Sequence, residues 1–260
     1  MSAKGNIHRF ADVKSRINLK RFQKGKKLGK GGFGSVYQIK EKETGDIYAA
    51  KIIECDEDEE QINQLIDREV RIMMYCQHPT IINFIGYSKT DFNEENNITL
   101  VMDLAKNGSL SSILQKIQRS VGPKDYTNTN RQIILVGVSR GMKYLHDRNI
   151  IHRDLKTDNI LLDENYYPLI ADFGLSKISE FGHSRSQTKF GGTLIYMAPE
   201  IIKKEPYNKK VDVYSFGILM YEAVTDSPAY PELERGEMSE FDFLNKVVKD
   251  HYRPKFKEPI

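Results

Sequence analysis

From residue 22 onward the chain alternates short apolar runs with glycines and charged turns, and over 22–53 this pattern predicts three strands. The period then changes. Ile62, Leu65, Ile66, Val70 and Met73 recur at helical spacing, so a helix follows. The runs 81–87 and 98–104 predict two more strands. Lys106-Asn107-Gly108-Ser109 breaks the pattern with turn residues and is a candidate hinge between two lobes. Beyond it the apolar spacing is helical over 110–117, 133–145 (with Gly141 inside) and 211–224. Strands first and helices second predict an α+β fold, a sheet-rich small lobe followed by a helical large one. The polar stretch 1–20 reads as a flexible N-terminal segment, which sets the divisions at 1–20, 21–105 and 106–260.

Composition narrows the class. With 39% apolar and 29% charged residues the chain fits a soluble globular protein, and a net charge of +3 is too small to point to nucleic acid. No apolar run approaches the roughly 20 residues of a membrane-spanning helix. The N-terminus shows no apolar core of a secretory signal, and Ser2 in place of Gly argues against N-myristoylation. Cys55 and Cys76 lack metal spacing and read as thiols of a reducing compartment, the cytoplasm. The acidic run 55–60 reads as a solvated loop or helix start.

The candidate chemistry lies in His152-Arg153-Asp154-Leu155-Lys156-Thr157-Asp158-Asn159 and in Asp172-Phe173-Gly174. Between them are two short apolar runs, 160–162 and 169–171, joined by a turn at Asp163-Glu164-Asn165. This is a hairpin with polar groups at its ends. Phosphoryl transfer from a magnesium nucleotide needs such groups: a carboxylate to take a hydroxyl proton, and hard oxygen ligands for the metal. Asp154 is the candidate base, Asn159 and Asp172 are candidate metal ligands, and Lys156 can stabilise charge on the transferred group. Each alone is an ordinary turn residue; the spacing of the set gives it weight.

Two upstream features fit the same chemistry. Gly29-Lys30-Gly31-Gly32-Phe33-Gly34-Ser35-Val36 lets backbone N–H groups approach phosphate, and because a strand follows rather than a helix it predicts a hairpin flap. Taken alone, a plain glycine turn gives the same run. Past the opening Asp46, Lys51 is the one charge inside the strand 46–53, on the face shared with Ala49 and Ile53. Snorkelling to solvent accounts for it, and so does a partner. Glu69 lies on the apolar stripe of the next helix, and a Lys51–Glu69 pair satisfies both groups.

These motifs, with Ala198-Pro199-Glu200, resemble the eukaryotic protein kinase family over about residues 21–260. The resemblance implies a bilobal fold: an antiparallel five-stranded N-lobe with one main helix, a mainly helical C-lobe, and ATP with Mg2+ in the cleft. It implies that Gly29, Gly31 and Gly34 cover the phosphates, that Lys51 holds them, and that Val36, Ala49 and Leu161 enclose the adenine. Met102 takes the gatekeeper position, and the backbone of Asp103 and Ala105 meets the adenine edge. Met73, Phe84, His152 and Phe173 form an apolar spine. The resemblance also implies that Asp212 braces the catalytic loop. Lys156 together with Thr193 resembles the serine/threonine-specific pattern, so the implied partner is a protein with a Ser or Thr acceptor. The runs 191–200 and 212–219 resemble the tyrosine-kinase-like group of Ser/Thr kinases. Arg153 implies control by phosphate on the segment 172–200, by an upstream kinase or autophosphorylation, with Ser186 and Thr188 as first choices.

The pattern departs from the family at its end. Members normally continue through further large-lobe helices, which supply an arginine for the glutamate of Ala-Pro-Glu, and this chain has no Trp. The expectations are therefore a C-lobe lacking its last helices, a Glu200 without its usual partner, and exposed apolar surface near 211–224 and 240–260. The rival readings are a kinase fold kept for binding alone, and an inactive fragment.

Overall fold

A computed structural model of the chain describes residues 16–31, 34–53, 70–173, 177–178 and 194–256. The backbone divides into two compact units after Lys106. The first unit is built on five strands: β1 (Phe22–Gly31), β2 (Gly34–Glu41), β3 (Ile47–Ile53), β4 (Phe84–Ser88) and β5 (Ile98–Asp103). They form one antiparallel sheet in the order β1-β2-β3-β5-β4. Helix α1 is described over residues 70–75, where Val70, Ile72 and Met73 are buried. One core cluster is formed by Leu19, Phe22, Ile39, Ala50 and Val101, with Ile17, Tyr48 and Phe92 packed against it.

Residues 16–20 correct the expected flexible segment. Ile17 donates its N–H to Tyr87 O at 2.9 Å, and Leu19 is buried, so this stretch runs along the edge strand β4. The cause is apolar: Ile17 and Leu19 have the core cluster to bury against. The other edge, β1, is protected differently. Lys24, Lys26, Lys27 and Lys30 stand exposed along it, a charge pattern that opposes edge-to-edge pairing, and Lys24 Nζ sits 3.9 Å from the centre of the Tyr37 ring. Strand β4 starts three residues later than the apolar run from 81, because His78 accepts the Thr80 N–H and Ile81 donates back to His78 O in a turn.

The second unit begins with α2 (Leu110–Gln118), capped by Ser109, and α3 (Asn128–Asp147). Helix α3 starts five residues before the apolar spacing predicts, because Thr127 and Asn130 cap each other's backbone reciprocally. Its apolar face buries Ile134, Val138, Met142 and Leu145. Then come β6 (Ile150–Ile151), the hairpin β7 (Ile160–Leu162) and β8 (Pro168–Ile170), and β9 (Lys177–Ile178), which pairs with β6. Helices α4 (Pro199–Ile202), α5 (Lys210–Thr225), α6 (Pro231–Glu234) and α7 (Glu240–Lys249) complete the unit. No described helix is long and apolar enough to cross a membrane.

Helix α5 is apolar on nearly all sides, a composition suited to full burial. Val211, Ile218, Leu219 and Ala223 are buried, yet Val213 is 59% exposed and Met220 and Val224 are also open. With Tyr221, Pro254 and Phe256 these side chains line a groove of about 440 Å³, and Phe241 is 74% exposed on α7. Apolar surface is thus open near 211–224 and 240–256, as expected. The double variant Val213→Lys/Met220→Lys should shift the unfolding free energy by no more than about 0.5 kcal/mol per site and reduce light scattering on concentration. Leu219→Ala, in the core, should cost roughly 2–5 kcal/mol by denaturant titration.

Candidate active site

The loop from His152 to Asn159 is held by one carboxylate. Asp212, in the first turn of α5 and 1% exposed, accepts the His152 N–H at 2.9 Å through Oδ2 and the Arg153 N–H at 2.8 Å through Oδ1. His146 Nε2 of α3 lies 2.8 Å from the same Oδ2. Arg153 has φ of 67°, the left-handed region, which costs a non-glycine residue roughly 1–2 kcal/mol. Each hydrogen bond to a buried carboxylate contributes about 1.5–3 kcal/mol, so the two backbone bonds outweigh the strain.

His152 is fully buried, and its ring does two jobs. Nδ1 accepts the Asp154 N–H at 3.3 Å and Nε2 donates to Ala171 O at 3.2 Å, an arrangement met by the Nε2–H tautomer. The ring centroid lies 5.3 Å from that of the buried Phe173. The same residue therefore links the loop to the segment that follows β8.

The buried Asp154 carboxylate is gripped from two sides. Lys156 Nζ donates to both its oxygens, at 3.1 Å to Oδ1 and 2.8 Å to Oδ2. Asn159 Nδ2 donates to Oδ2 at 2.9 Å and to the Asp154 backbone carbonyl at 2.7 Å. The hairpin register pairs Ile160 with Ile170, and the Ala171 N–H donates to Asn159 O at 2.9 Å. This sets Asn159 and Asp172 at the same end of the hairpin. Asp172 also has a left-handed φ, of 65°. Leu161, half-buried, lies on β7 and bridges to Ser109. The structure thus gathers Asp154, Lys156 and Asn159 into one bonded group, with Asp172 beside it in the chain topology.

In the first unit the candidate nucleotide residues share neighbouring strands. Val36 pairs with Gly29 on one side and Lys51 on the other, and Ala49 pairs with Met102. Gly34 has φ of 137°, and a Cβ there would fall 1.9 Å from Ile52 O, so the fold itself requires glycine. A Cβ at Gly29 would meet nothing within 4 Å, so no neighbouring protein atom requires glycine there. Asp103 donates its N–H to Asn83 O at 3.0 Å, so that N–H is already engaged. Ala105 follows in the loop after β5. Glu69, Thr193, Gly174, Cys55 and the serines and threonines of 179–193, including Ser186 and Thr188, lie outside the described residues.

A second polar cluster was missed by the sequence reading. Glu222 of α5 is buried beside Tyr196, whose hydroxyl meets Glu222 Oε2, and Thr157 Oγ1 lies 3.0 Å from that hydroxyl. Burial pushes the Glu222 carboxyl above its ordinary range, against hydrogen bonds from Tyr196 and the Ala229 N–H, which lower it. Burial also holds the Tyr196 phenol well above its usual value, so it stays protonated. The available signal was an acid inside the apolar run 211–224, the same argument that singled out Glu69.

A sheet unit whose first hairpin carries glycines, followed by a helical unit whose loop grips one acid between a lysine and an amide, defines an α+β class of domain. The family described as protein kinase domain matches residues 22–259. The chain belongs to that family. It is 36% identical over 216 residues to an Aurora kinase of Yarrowia lipolytica, covering 83% of this chain and 55% of the relative. It is 37% identical over 204 residues to the serine/threonine-protein kinase CTR1 of Arabidopsis thaliana, covering 76% of this chain and 23% of the relative. With the serine/threonine-protein kinase sgk-1 of Caenorhabditis elegans the identity is 35% over 231 residues, 88% of this chain and 46% of the relative. The chain thus spans about half the length of the first and third of these relatives and about a quarter of the second.

Asp212→Ala strands two backbone donors and should destabilise the protein by about 3 kcal/mol or more in denaturant titration. Glu222 carries a pH signature. Its folded carboxyl binds the proton more tightly than the unfolded one, so ionising it costs stability as pH rises above the ordinary carboxylate range. The stability of the wild type relative to Glu222→Gln should therefore fall as pH rises through and above the ordinary carboxylate range. A flat or rising difference counts against the burial assignment.

Proposed function

We propose that the chain is an ATP-dependent protein serine/threonine kinase that transfers the γ-phosphoryl group of Mg-ATP to a Ser or Thr hydroxyl of a protein. The observation that carries the reading is the buried Asp154 carboxylate held by Lys156 and Asn159 on a loop braced by Asp212. Asp154 Oδ2 receives two hydrogen bonds and Oδ1 one, at 3.1 Å. Oδ1 is the less engaged oxygen and is assigned to take the proton of the acceptor hydroxyl. Lys156, two residues on, keeps the carboxylate in place and offers its ammonium to the phosphoryl oxygens. That lysine, with Thr193, supports Ser or Thr as acceptor. The runs 191–200 and 212–219 support a place near the tyrosine-kinase-like group.

The donor set fits magnesium beside phosphate. Asn159 commits its Nδ2 to Asp154 and so turns its amide oxygen elsewhere, and Asp172 adds a carboxylate. Among the described residues no three or more His, Cys, Asp or Glu side chains could hold a metal. A magnesium ion completed by phosphate oxygens and water needs no such cage. When bound, Mg2+ neutralises charge on the transferring group. In the first unit, the backbone of Gly29, Gly31 and Gly34 and the Lys51 ammonium, with Glu69 as its assigned partner, hold the phosphates. Val36, Ala49 and Met102 offer apolar side chains to the base, and Asp103 and Ala105 offer backbone groups.

Radiolabel transfer from ATP to a serine-containing generic substrate tests the reading. Asp154→Asn and Asp172→Asn should each lower transfer by roughly 10²-fold to 10⁴-fold. Equal labelling by wild type and both variants would sink the catalytic claim. Mg-ATP should also raise the wild-type melting midpoint. A raised midpoint without transfer would leave a binding-only domain instead.

A further inference from the structure

Thr157, Tyr196 and Glu222 come from three separate elements and meet in the interior of the second unit. Thr157 opens the 3-10 turn Thr157–Asn159, Tyr196 closes the 3-10 turn Leu194–Tyr196, and Glu222 lies near the end of α5. Thr157 Oγ1 is 3.0 Å from the Tyr196 hydroxyl and 3.5 Å from Glu222 Oε2, the oxygen that also meets that hydroxyl. The other carboxylate oxygen, Oε1, accepts the Ala229 N–H at 3.3 Å. Ser215 Oγ holds the Tyr196 carbonyl at 2.8 Å, so the 194–196 turn is fastened to α5 at two points. Thr157 fastens the loop of Asp154 to the same place. It stands between Lys156 and Asn159, the two side chains that grip Asp154.

We propose that Thr157 is a positioning residue: its hydroxyl ties the loop of Asp154 to the segment 194–200 and thereby aligns the acceptor with the base. The inference deepens the kinase reading and rests on it. The tie is well placed for this role. Tyr196 can give its proton to Glu222 while accepting the proton of Thr157, so all three groups are satisfied at once. Removing the Thr157 hydroxyl leaves the Tyr196–Glu222 bond in place. The fold therefore survives the loss, and the change acts on the loop's placement. A displacement of about 1 Å at such a loop costs up to roughly 10²-fold in rate.

Thr157→Val and Thr157→Ser decide the matter. Thr157→Val should lower kcat/KM for a serine-containing peptide by roughly 10-fold to 100-fold, with the KM for ATP and the melting midpoint unchanged. Thr157→Ser should restore it. In hydrogen exchange of the ligand-free protein, Thr157→Val should lower the protection of amides in both 152–162 and 194–202. Wild-type peptide kinetics in Thr157→Val, a loss that Thr157→Ser does not restore, or unchanged exchange in either segment overturns the proposal. If the wild type itself transfers no phosphate above Asp154→Asn, the kinase reading fails and the acceptor role falls with it. The exchange data then still decide whether the tie exists.

Discussion

The second unit depends on how one buried acid, Asp212, is satisfied. A carboxylate removed from water needs several donors, and here two of them are consecutive backbone N–H groups at the start of the Asp154 loop, those of His152 and Arg153. A pair of consecutive N–H groups can point at one carboxylate only if the chain turns sharply between them. The left-handed φ of Arg153 is that turn. The strain is local and small, and the hydrogen bonds that demand it are larger, so they favour this conformation of the loop. Everything downstream inherits that choice: the seat of His152 against Phe173, the N–H of Asp154 on the His152 ring, and the side-chain group around Asp154.

The charges of the site are arranged on the same logic. Asp154 is buried, yet its carboxylate has Lys156 and Asn159 as donors, so its burial carries no unpaired charge. Because the amide of Asn159 is oriented by Asp154, the residue assigned to the metal is positioned by the residue assigned as base. The hairpin then ties Asn159 to Ala171 and so to Asp172. One loop and one hairpin thus set the three candidate groups relative to one another without using long flexible side chains. Only Lys156 has a long side chain, and both carboxylate oxygens fix its end.

Much of this was legible in the chain. Apolar runs separated by glycine and turn residues gave the sheet of the first unit, and the spacing of Asp154, Asn159 and Asp172 singled out the loop and hairpin of the candidate site. What escaped was set by tertiary contacts. Residues 16–20 look polar, and only the packing of Ile17 and Leu19 against the core cluster makes them part of the sheet unit. The start of α3 escaped because Thr127 and Asn130 cap a turn that apolar periodicity does not mark. Glu222 escaped because an apolar run drew attention away from the acid within it. Asp212, in the same run, was found through the resemblance and not through its surroundings.

That the two acids lie on one helix explains why α5 has the composition it has. Asp212 and Glu222 are ten residues apart, about 15 Å along a helix at 1.5 Å per residue. An apolar helix packed on its inner sides is a rigid bar, so it holds two buried carboxylates at a fixed separation. Asp212 fixes the start of the Asp154 loop through its backbone; Glu222 meets the later part of the same loop at Thr157 and the 194–196 turn at Tyr196. A loop fixed at both ends to one bar cannot shift without moving the bar or breaking a buried hydrogen bond. The two acids therefore have complementary parts: Asp212 sets the shape of the loop, and Glu222 sets its distance from the neighbouring turn. A wholly apolar α5 would pack as well and do neither.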